Sequence, residues 1–464
     1  MGMQQHPYFK GGRSTNSGGE ALGEGGGVHQ AASSSKRTEP IMPELMEQVV
    51  ERENLIRAWR RVRANKGSPG VDRMTVEELT GYLREQWPRI REELLKGEYR
   101  PQPVKEVEIP KAGGGTRRLG IPTVLDRFTQ QAILQVPDLI YDPTFSEHSY
   151  GFRPRRRGHQ AVEAAKRYIA EGYEWVVDLD LEKFFDRVNQ DVLMGRLAQR
   201  IGDKRVLRVI RRYLQAGIMV QGVVQERWEG TPQGGPLSPL LSNILLDELD
   251  KELERRGDRF CRYADDANIY VQSRRAGERV FASIERFLSQ RLKLRVNREK
   301  SAVARHHERS FLGFGFTSGK VLKVKVSDKS LDRFKERIRA ITRRSRGRSL
   351  AQIIEELGEY LRGWMGYYRL VETLSVLKEL DGWIRRRLRC YLVKQWIKNC
   401  YTRAKNLVRL GVSPDQAWMV GMSRKGPWAM SNMKPLKVAV SNRFLAKQGF
   451  LGLVDQYQAL AKAA

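Results

Sequence analysis

Two adjacent aspartates, Asp265 and Asp266, lie between two segments in which apolar and polar residues alternate. Alternation over 259–263 and 267–271 is typical of half-buried β-strands, so the pair is predicted at the tip of a hairpin. Neighbouring carboxylates repel each other, and a cation bound at the tip would relieve that repulsion. Mg²⁺ suits such a place because it binds one or two carboxylates and keeps water or phosphate oxygens as its other ligands. Since Asp-Asp pairs are also common turn residues, the pattern alone leaves a plain turn open.

The chain is strongly basic, with 84 Lys and Arg residues against 54 Asp and Glu and a formal net charge of +30. The excess is uneven, because residues 325–464 hold 29 basic and only 11 acidic side chains. A charge of this size indicates a polyanionic partner, and nucleic acid is the expected one. We find no apolar run of about 18 residues, no signal peptide and no lipidation motif, so no membrane partner is expected. Three cysteines without paired spacing are typical of a reducing compartment such as the cytoplasm.

Composition and hydrophobic periodicity divide the chain into four regions. Residues 1–40 are rich in Gly and Ser and are predicted to be disordered. Residues 41–324 alternate helical and strand patterns, including a hairpin over 104–122 with a glycine-rich turn. Residues 325–399 carry three amphipathic helical patterns, and residues 400–464 are basic and poorly periodic, which is typical of a small appended domain.

A third acidic residue can share a cation with the pair. Asp180 ends an apolar strand pattern over 174–181, but Asp178 has the same strand parity, so spacing alone does not choose between them. Two-metal phosphodiester chemistry needs several carboxylates that hold two ions about 4 Å apart. Phe185 follows Asp180 by five residues, where an aromatic ring can stack under an incoming sugar and collide with a 2′-hydroxyl. Core packing is the alternative, and either Phe184 or Phe185 is expected to be buried.

Seven sequence blocks in a fixed order resemble those of reverse transcriptases. The blocks are 117–122, 149–154, the segment that begins at Asp180, 231–239, 263–266, 294–301 and 311–313. Within that class the chain resembles the bacterial group II intron-encoded reverse transcriptase/maturases of class C. Further segments that resemble this sub-family are 64–71 before the first blocks, 360–368 and the basic stretch 423–428. The resemblance covers roughly residues 41–460.

This resemblance implies an α+β fold of the right-hand polymerase type. Fingers and a palm with an antiparallel sheet are expected over 41–324, a three-helix maturase-type thumb over 325–399, and a basic DNA-binding domain over 400–464. It implies an enzyme that copies RNA into DNA with two Mg²⁺ ions, binds its structured intron RNA, assists splicing and supports intron mobility. The implied partners are dNTP substrates, an RNA template with a DNA primer, and a DNA target; whether a homodimer forms is left open. A homing endonuclease domain is not expected, because no Cys/His cluster follows the basic tail.

The resemblance also implies roles for individual residues. The predicted metal site consists of Asp180, Leu181, Asp265 and Asp266. The predicted nucleotide pocket consists of Lys111, Arg117, Ile121, Phe185 as the steric gate, and Gln233. The predicted nucleic-acid contacts elsewhere, which include a run of arginines in the most basic part of the chain, are Lys66, Asn297, Lys300, Arg385, Arg386, Arg387, Arg389, Arg424 and Lys425. A solvated hairpin is the alternative for Lys111 and Arg117, and a solvated helix face is the alternative for the arginine run.

A second function remains open at the level of sequence. A domesticated relative of the same enzymes could act in phage defence or DNA repair without an intron. A structural RNA chaperone is not favoured, because it would not need three clustered acids in so basic a protein.

Overall fold

The computed structural model describes residues 44–110, 115–220, 223–226, 228–232, 234–396 and 399–463. The segment 1–40, predicted to be disordered, lies outside these ranges. Lys111 and Gln233 of the predicted nucleotide pocket also lie outside them. Within the described residues, no helix has both the length and the apolar composition needed to cross a bilayer.

The N-terminal part of the described chain packs helices beside a β-hairpin. Its elements are α1 (Met46–Val49), α2 (Arg52–Asn65), α3 (Leu79–Leu95), β1 (Val104–Pro110), β2 (Thr116–Ile121), α4 (Val124–Tyr141) and α5 (Gly158–Ala170). β1 and β2 pair antiparallel up to Pro110 opposite Thr116, so the predicted hairpin is confirmed. α2 packs on α4, where the buried Asn54 amide donates to the carbonyl of Ala132 at 3.0 Å.

The central part of the chain is built around a four-stranded antiparallel sheet, here called the central sheet. The elements of this part are β3 (Trp175–Leu179), α6 (Phe184–Arg187), α7 (Gln190–Ala198), α8 (Lys204–Gln215), β4 (Ile218–Val220), β5 (Val223–Gln225), α9 (Ser238–Arg256), β6 (Arg259–Tyr263), β7 (Asp266–Val271), α10 (Arg274–Phe287) and β8 (Ala302–Arg305). The strand order of the central sheet is β6-β7-β3-β8. A second sheet has the order β2-β1-β4-β5. The predicted mixture of helices and an antiparallel sheet is thus confirmed.

Different helices cover the two faces of the central sheet, because side chains alternate along each strand. Val177 and Ile269 face a hydrophobic core that includes α4 and α9. Val176 and Tyr270 face a second core that includes α5. Asp180 shares the parity of Val176 and therefore belongs to this second side, at the end of β3.

The helix α9 is 19 residues long, and its two ends have clear local causes. Pro239 lies in its first turn, where a missing backbone N–H costs nothing. Gly257 ends the helix with a φ of 75°, a conformation that glycine adopts readily. Most of the helix is buried, and α9 packs against one face of the central sheet.

The C-terminal half is mainly helical. Its elements are β9 (Ser310–Phe311), β10 (Phe314–Phe316), β11 (Val324–Val326), α11 (Asp328–Ile341), α12 (Leu350–Tyr367), α13 (Leu374–Gln395), α14 (Cys400–Arg409), α15 (Pro414–Gly421), α16 (Pro427–Met430), α17 (Lys434–Ala439), α18 (Asn442–Lys447) and α19 (Leu453–Ala463). The core that covers α5 continues through α11–α13 and into the segment 400–453. The buried Asp381 of α13 accepts from the backbone N–H groups of Leu453 at 2.7 Å and Val454 at 3.2 Å. Residues on both sides of the predicted boundary between 399 and 400 therefore share one core.

Candidate active site

The two adjacent aspartates lie at a hairpin tip, as the alternating pattern predicts. Tyr263 at the end of β6 pairs with Asp266 at the start of β7, so Ala264 and Asp265 form a two-residue turn. Ala264 has a φ of 58°, and tight hairpin turns require positive φ at their centre. L residues rarely adopt this conformation, so the tip needs support from its surroundings.

Asp180 lies at the same end of the central sheet as this turn. β3 and β7 pair as far as Leu179, so Asp180 directly follows the last pair while Asp266 directly precedes it on the neighbouring strand. The backbone amide of Asp180 donates to the Ser301 hydroxyl at 2.9 Å. The Asp180 carbonyl accepts from the Asn297 amide at 2.8 Å. Carboxylates from two neighbouring strands and from the turn are therefore brought to one edge of the sheet.

The sequence leaves Asp178 and Asp180 as alternatives, and the structure gives Asp178 partners of its own. The Asp178 Oδ2 lies 3.8 Å from the Arg309 Nε. With its amide oriented to satisfy both groups, Asn268 donates to the Asp178 Oδ1 at 3.1 Å. The Asp180 Oδ2 lies 3.8 Å from the Lys300 Nζ at the open edge of the sheet. Asp178 therefore has both an arginine and an amide as partners, whereas Asp180 has a lysine; which of the two binds metal stays a prediction.

The electrostatics of this edge show that the carboxylates act on one another. Burial raises the pKa of Asp266 to about 6, with the charges of Asp265, Asp180 and Asp178 adding to the effect. Burial also raises the pKa of Asp265, where Arg117 opposes the rise and Asp180 adds to it. Clustered carboxylates with raised pKa values are the environment in which a bound cation is most stabilising.

The donor set fits Mg²⁺, since it consists of carboxylate oxygens. Within the described residues, no three His, Cys, Asp or Glu side chains already form a group that could hold a metal ion. Mg²⁺ usually keeps several water or phosphate ligands, so substrate can complete a site of this kind. Leu181, predicted in the same site, is buried and its backbone bridges to Val296.

The predicted steric gate, Phe185, lies in α6 beside a glycine-containing turn. Phe184 is 3% exposed and belongs to the core, whereas Phe185 is only partly buried. The Phe185 carbonyl accepts from the Thr231 amide at 2.7 Å, which joins α6 to this turn. A Cβ atom at Gly234 would lie 2.6 Å from the Gly120 carbonyl oxygen, so the turn also approaches β2 very closely. The lack of a side chain at Gly234 therefore makes room for β2.

Two further residues of the predicted pocket lie on β2. Ile121 is its half-buried last residue, and Arg117 is exposed. The positive charge of Arg117 lowers the pKa of Asp265, so the guanidinium is close enough to the carboxylates to affect them. The described residues of the predicted pocket therefore lie on β2 and α6.

Four of the nine other predicted nucleic-acid contacts are exposed. Lys66, Lys300, Arg424 and Lys425 all lie on the surface. Asn297 is half-buried, and its carbonyl accepts from the Ser301 amide at 2.8 Å. Four of these five residues are therefore available to a large polyanion.

The arginine run in α13 has partners within the protein. Arg386 stacks on the Trp428 ring, with its guanidinium carbon 3.9 Å from the ring centroid. The Arg387 Nε donates to the Thr342 hydroxyl at 2.6 Å. Arg389 is 8% exposed and donates to the Ser431 carbonyl at 3.1 Å, while Arg385 lies 3.8 Å from Asp381. These contacts hold α13 against α11 and α16, and nucleic-acid binding by the run stays a prediction.

Sequence reasoning missed one residue beside the site. Arg262, in β6, is 1% exposed and pairs with the buried Asp250 at 2.5 Å. The same guanidinium donates to the Ala264 carbonyl in the turn at 2.9 Å. The available signal was an arginine within the strand pattern over 259–263, two residues before the turn.

Comparison with known proteins connects this geometry to two families. Residues 109–316, which contain Asp180, Asp265 and Asp266, match the reverse transcriptase (RNA-dependent DNA polymerase) family. Residues 331–411 match the group II intron, maturase-specific domain. The second match begins in α11 and continues past the end of α14.

Individual relatives agree with these matches. Protein YkfC of Escherichia coli (strain K12) is 34% identical over 299 residues, which are 56% of this chain and 78% of YkfC. The group II intron-encoded protein LtrA of Lactococcus lactis subsp. cremoris is 36% identical over 206 residues, 44% of this chain and 34% of LtrA. The putative COX1/OXI3 intron 2 protein of Saccharomyces cerevisiae is 28% identical over 268 residues, 56% of this chain and 30% of that protein.

The chain thus spans most of one relative and about a third of the two intron proteins. Relatives encoded in introns do not favour the alternative of a domesticated enzyme without an intron. Both family matches lie in one chain, and the first contains the three clustered aspartates. The chain belongs to the family of group II intron-encoded reverse transcriptase/maturases and is an RNA-directed DNA polymerase with a maturase domain.

Proposed function

We propose that Asp180, Asp265 and Asp266 bind two Mg²⁺ ions and that the central sheet is the palm of a right-hand polymerase. The observation that supports this most is the position of the three carboxylates at one edge of the sheet. Burial and mutual repulsion raise the pKa values of Asp265 and Asp266 there. Bound cations would remove that repulsion, so metal binding and the negative charge of the site would stabilise each other.

The residues around the carboxylates would orient the substrates. Bound Mg²⁺ would lower the pKa of the primer 3′-hydroxyl and neutralise charge on the leaving pyrophosphate. Arg117 and Lys111 would attract the triphosphate by their charge. Phe185, fixed through its carbonyl to Thr231, would exclude a nucleotide that carries a 2′-hydroxyl. The chain would therefore extend a DNA primer on an RNA template and discriminate against ribonucleotides.

Nucleic acids would bind across several regions of the described chain. The β1–β2 hairpin and the helices before it would form the fingers, and α11–α13 the thumb. The helices from α14 onward would contact a DNA target through exposed residues such as Arg424 and Lys425. Structured intron RNA is the proposed cognate partner, with splicing assistance and intron mobility as the biological roles. Binding would weaken steeply with salt, because each neutralised phosphate releases counterions.

Primer extension by carboxylate variants tests the metal site. Asp265→Asn and Asp266→Asn are expected to abolish extension on an RNA template, while RNA affinity and assistance of splicing remain close to those of the parent. Asp178→Asn is the matched control, since Asp178 belongs to the same cluster but pairs with Arg309; it should retain extension. Full extension by Asp265→Asn would remove the assignment, and loss of splicing together with extension would show that the two activities are not separable.

A further inference from the structure

Arg262 uses its guanidinium fully within the protein interior. An arginine side chain has five N–H donors in a rigid planar fork. The Nε–H group donates to one carboxylate oxygen of Asp250 at 2.7 Å, and an Nη2–H group donates to the other at 2.5 Å. The remaining donors bond the Asn243 Oδ1 at 3.0 Å, the Ala264 carbonyl at 2.9 Å and the Ser149 hydroxyl at 2.8 Å. Every donor of a buried charge is therefore satisfied.

A buried ion pair of this kind is not explained by stability alone. Removing two charges from water is costly, and well-packed apolar residues of similar volume often stabilise a fold as well or better. The rigid fork does provide geometric precision, because five bonds fix the plane and position of the guanidinium. The role of Arg262 is therefore expected to concern the atoms that its guanidinium holds in place.

The Ala264 carbonyl is the acceptor that links this network to the active site. It belongs to the peptide group that joins Ala264 to Asp265, in a turn whose φ of 58° is unfavourable for an L residue. The opposite side of the turn is equally confined, because a Cβ atom at Gly151 would lie 2.3 Å from the Ala264 nitrogen. The Gly151 carbonyl in turn accepts from the Asn243 amide at 2.9 Å, so both supports share one partner.

We infer that Arg262 is a positioning residue that holds the Ala264–Asp265 peptide, and through it the Asp265 and Asp266 carboxylates, in the orientation that binds divalent cations. Lysine at this position would keep the charge but could not bond all of these acceptors, so the turn would relax. The inference rests on the proposed function, in which the same two carboxylates are the metal ligands. It adds a residue that touches neither metal nor substrate and still determines cation affinity.

Arg153 is a matched control in the same neighbourhood. Its side chain is also buried and pairs with Asp142 at 2.7 Å. It donates to the carbonyls of Ser146 at 2.6 Å and Ser149 at 3.0 Å. Its hydrogen bonds go to Asp142, Ser146 and Ser149, so Arg153→Lys perturbs a comparable ion pair without removing a hydrogen bond to the Ala264 carbonyl.

Direct Mn²⁺ binding to the full chain, followed by electron paramagnetic resonance, tests the inference without relying on activity. The Mn²⁺ dissociation constant of Arg262→Lys should rise about tenfold, the size of effect typical when outer groups that orient metal ligands are lost. Arg153→Lys should bind Mn²⁺ like the parent. The Mg²⁺ concentration for half-maximal primer extension should rise in Arg262→Lys, while its affinity for primer–template stays near the parent value.

Parent-like Mn²⁺ binding by folded Arg262→Lys, or an equal loss in Arg153→Lys, would overturn the inference. If Arg262→Lys does not fold, Ser149→Ala decides, because it removes one acceptor and leaves the ion pair with Asp250. Its Mn²⁺ dissociation constant should rise about three- to tenfold, the equivalent of one hydrogen bond, and an unchanged value would overturn the inference. Asp265→Asn distinguishes failure of this inference from failure of the proposed function. If Asp265→Asn binds Mn²⁺ like the parent, the proposed metal site itself is wrong.

Discussion

The Nζ of Lys300 lies 3.8 Å from the Oδ2 of Asp180, at the edge of the central sheet where the aspartates are gathered. The same ammonium group lowers the pKa of Asp266, which burial and neighbouring carboxylates raise to about 6. Lys300→Gln removes this charge, so the Asp266 pKa is expected to rise further. The acid limb of the pH–rate profile, measured for primer extension at saturating primer–template and constant Mg²⁺, should move to higher pH.

Lys329 provides the control for this shift. It is an exposed lysine whose charge lowers the pKa of Asp178 instead. Lys329→Gln should therefore leave the acid limb in place. The prediction is contradicted by equal shifts in the two variants, or by an unchanged profile in Lys300→Gln.

Asp178 is expected to make stability depend on pH. Burial raises its pKa to about 6, whereas an unfolded Asp titrates near pH 3.9. The folded protein therefore holds this proton more tightly, and the carboxyl becomes progressively less favourable to folding as the pH rises from about 4 through 6. Asp178→Asn cannot ionise, so its free energy of unfolding should exceed the parent's by about 1–2 kcal/mol at pH 8. Urea unfolding at pH 8 and pH 4 measures this; a gain that is undiminished at pH 4 would contradict it.

Phe185 and Phe184 should separate substrate selection from core packing. The Phe185 ring is partly buried, and the contact with Thr231 uses only the Phe185 backbone, so Phe185→Ala should leave the fold intact. Incorporation of ribonucleotides relative to deoxyribonucleotides, measured as the ratio of kcat/KM values, should rise. Phe184 is 3% exposed, so Phe184→Ala should instead cost about 3–5 kcal/mol of stability and leave that ratio unchanged. Unaltered selectivity in Phe185→Ala would remove the steric gate from the proposal.

Arg389 and Arg424 should differ in what they contribute. Arg389 is buried and bonded to the Ser431 carbonyl, so Arg389→Gln should lower the melting temperature and change RNA affinity little. Arg424 is exposed, so Arg424→Gln should weaken nucleic-acid binding and reduce the slope of log affinity against log salt by about 1, with no loss of stability. Filter binding over a salt series and thermal unfolding distinguish the two. A large change of salt slope in Arg389→Gln would contradict this prediction.

Features determined by local sequence could be predicted well. The β6–β7 hairpin follows from alternation on both sides of a tight turn. The aspartates could be predicted as a cluster because ordered blocks identify strand ends. The sequence could not distinguish Asp178 from Asp180, because both have the same strand parity and they differ only in their tertiary partners.

The roles of the arginines could not be predicted from sequence. Arg262 and Ser149 are 113 residues apart in sequence, and Arg386 meets Trp428 through the packing of α13 on α16. A charged side chain in a strand or a run on a helix has the same local signature whether it binds RNA or a buried carboxylate. Long-range packing decides between these roles, and local periodicity carries no information about it.

The hydrogen bonds from the start of α19 to Asp381 have a consequence for how this protein can be divided. Asp381 lies in the interior of α13, yet the donors to its carboxylate come from Leu453 and Val454. A shortened protein that ends before α19 would retain a buried carboxylate without these donors, and such groups are costly. A minimal polymerase would therefore need either to keep α19 or to replace Asp381 by an apolar residue. A cut between α13 and α14 would separate groups that share one core.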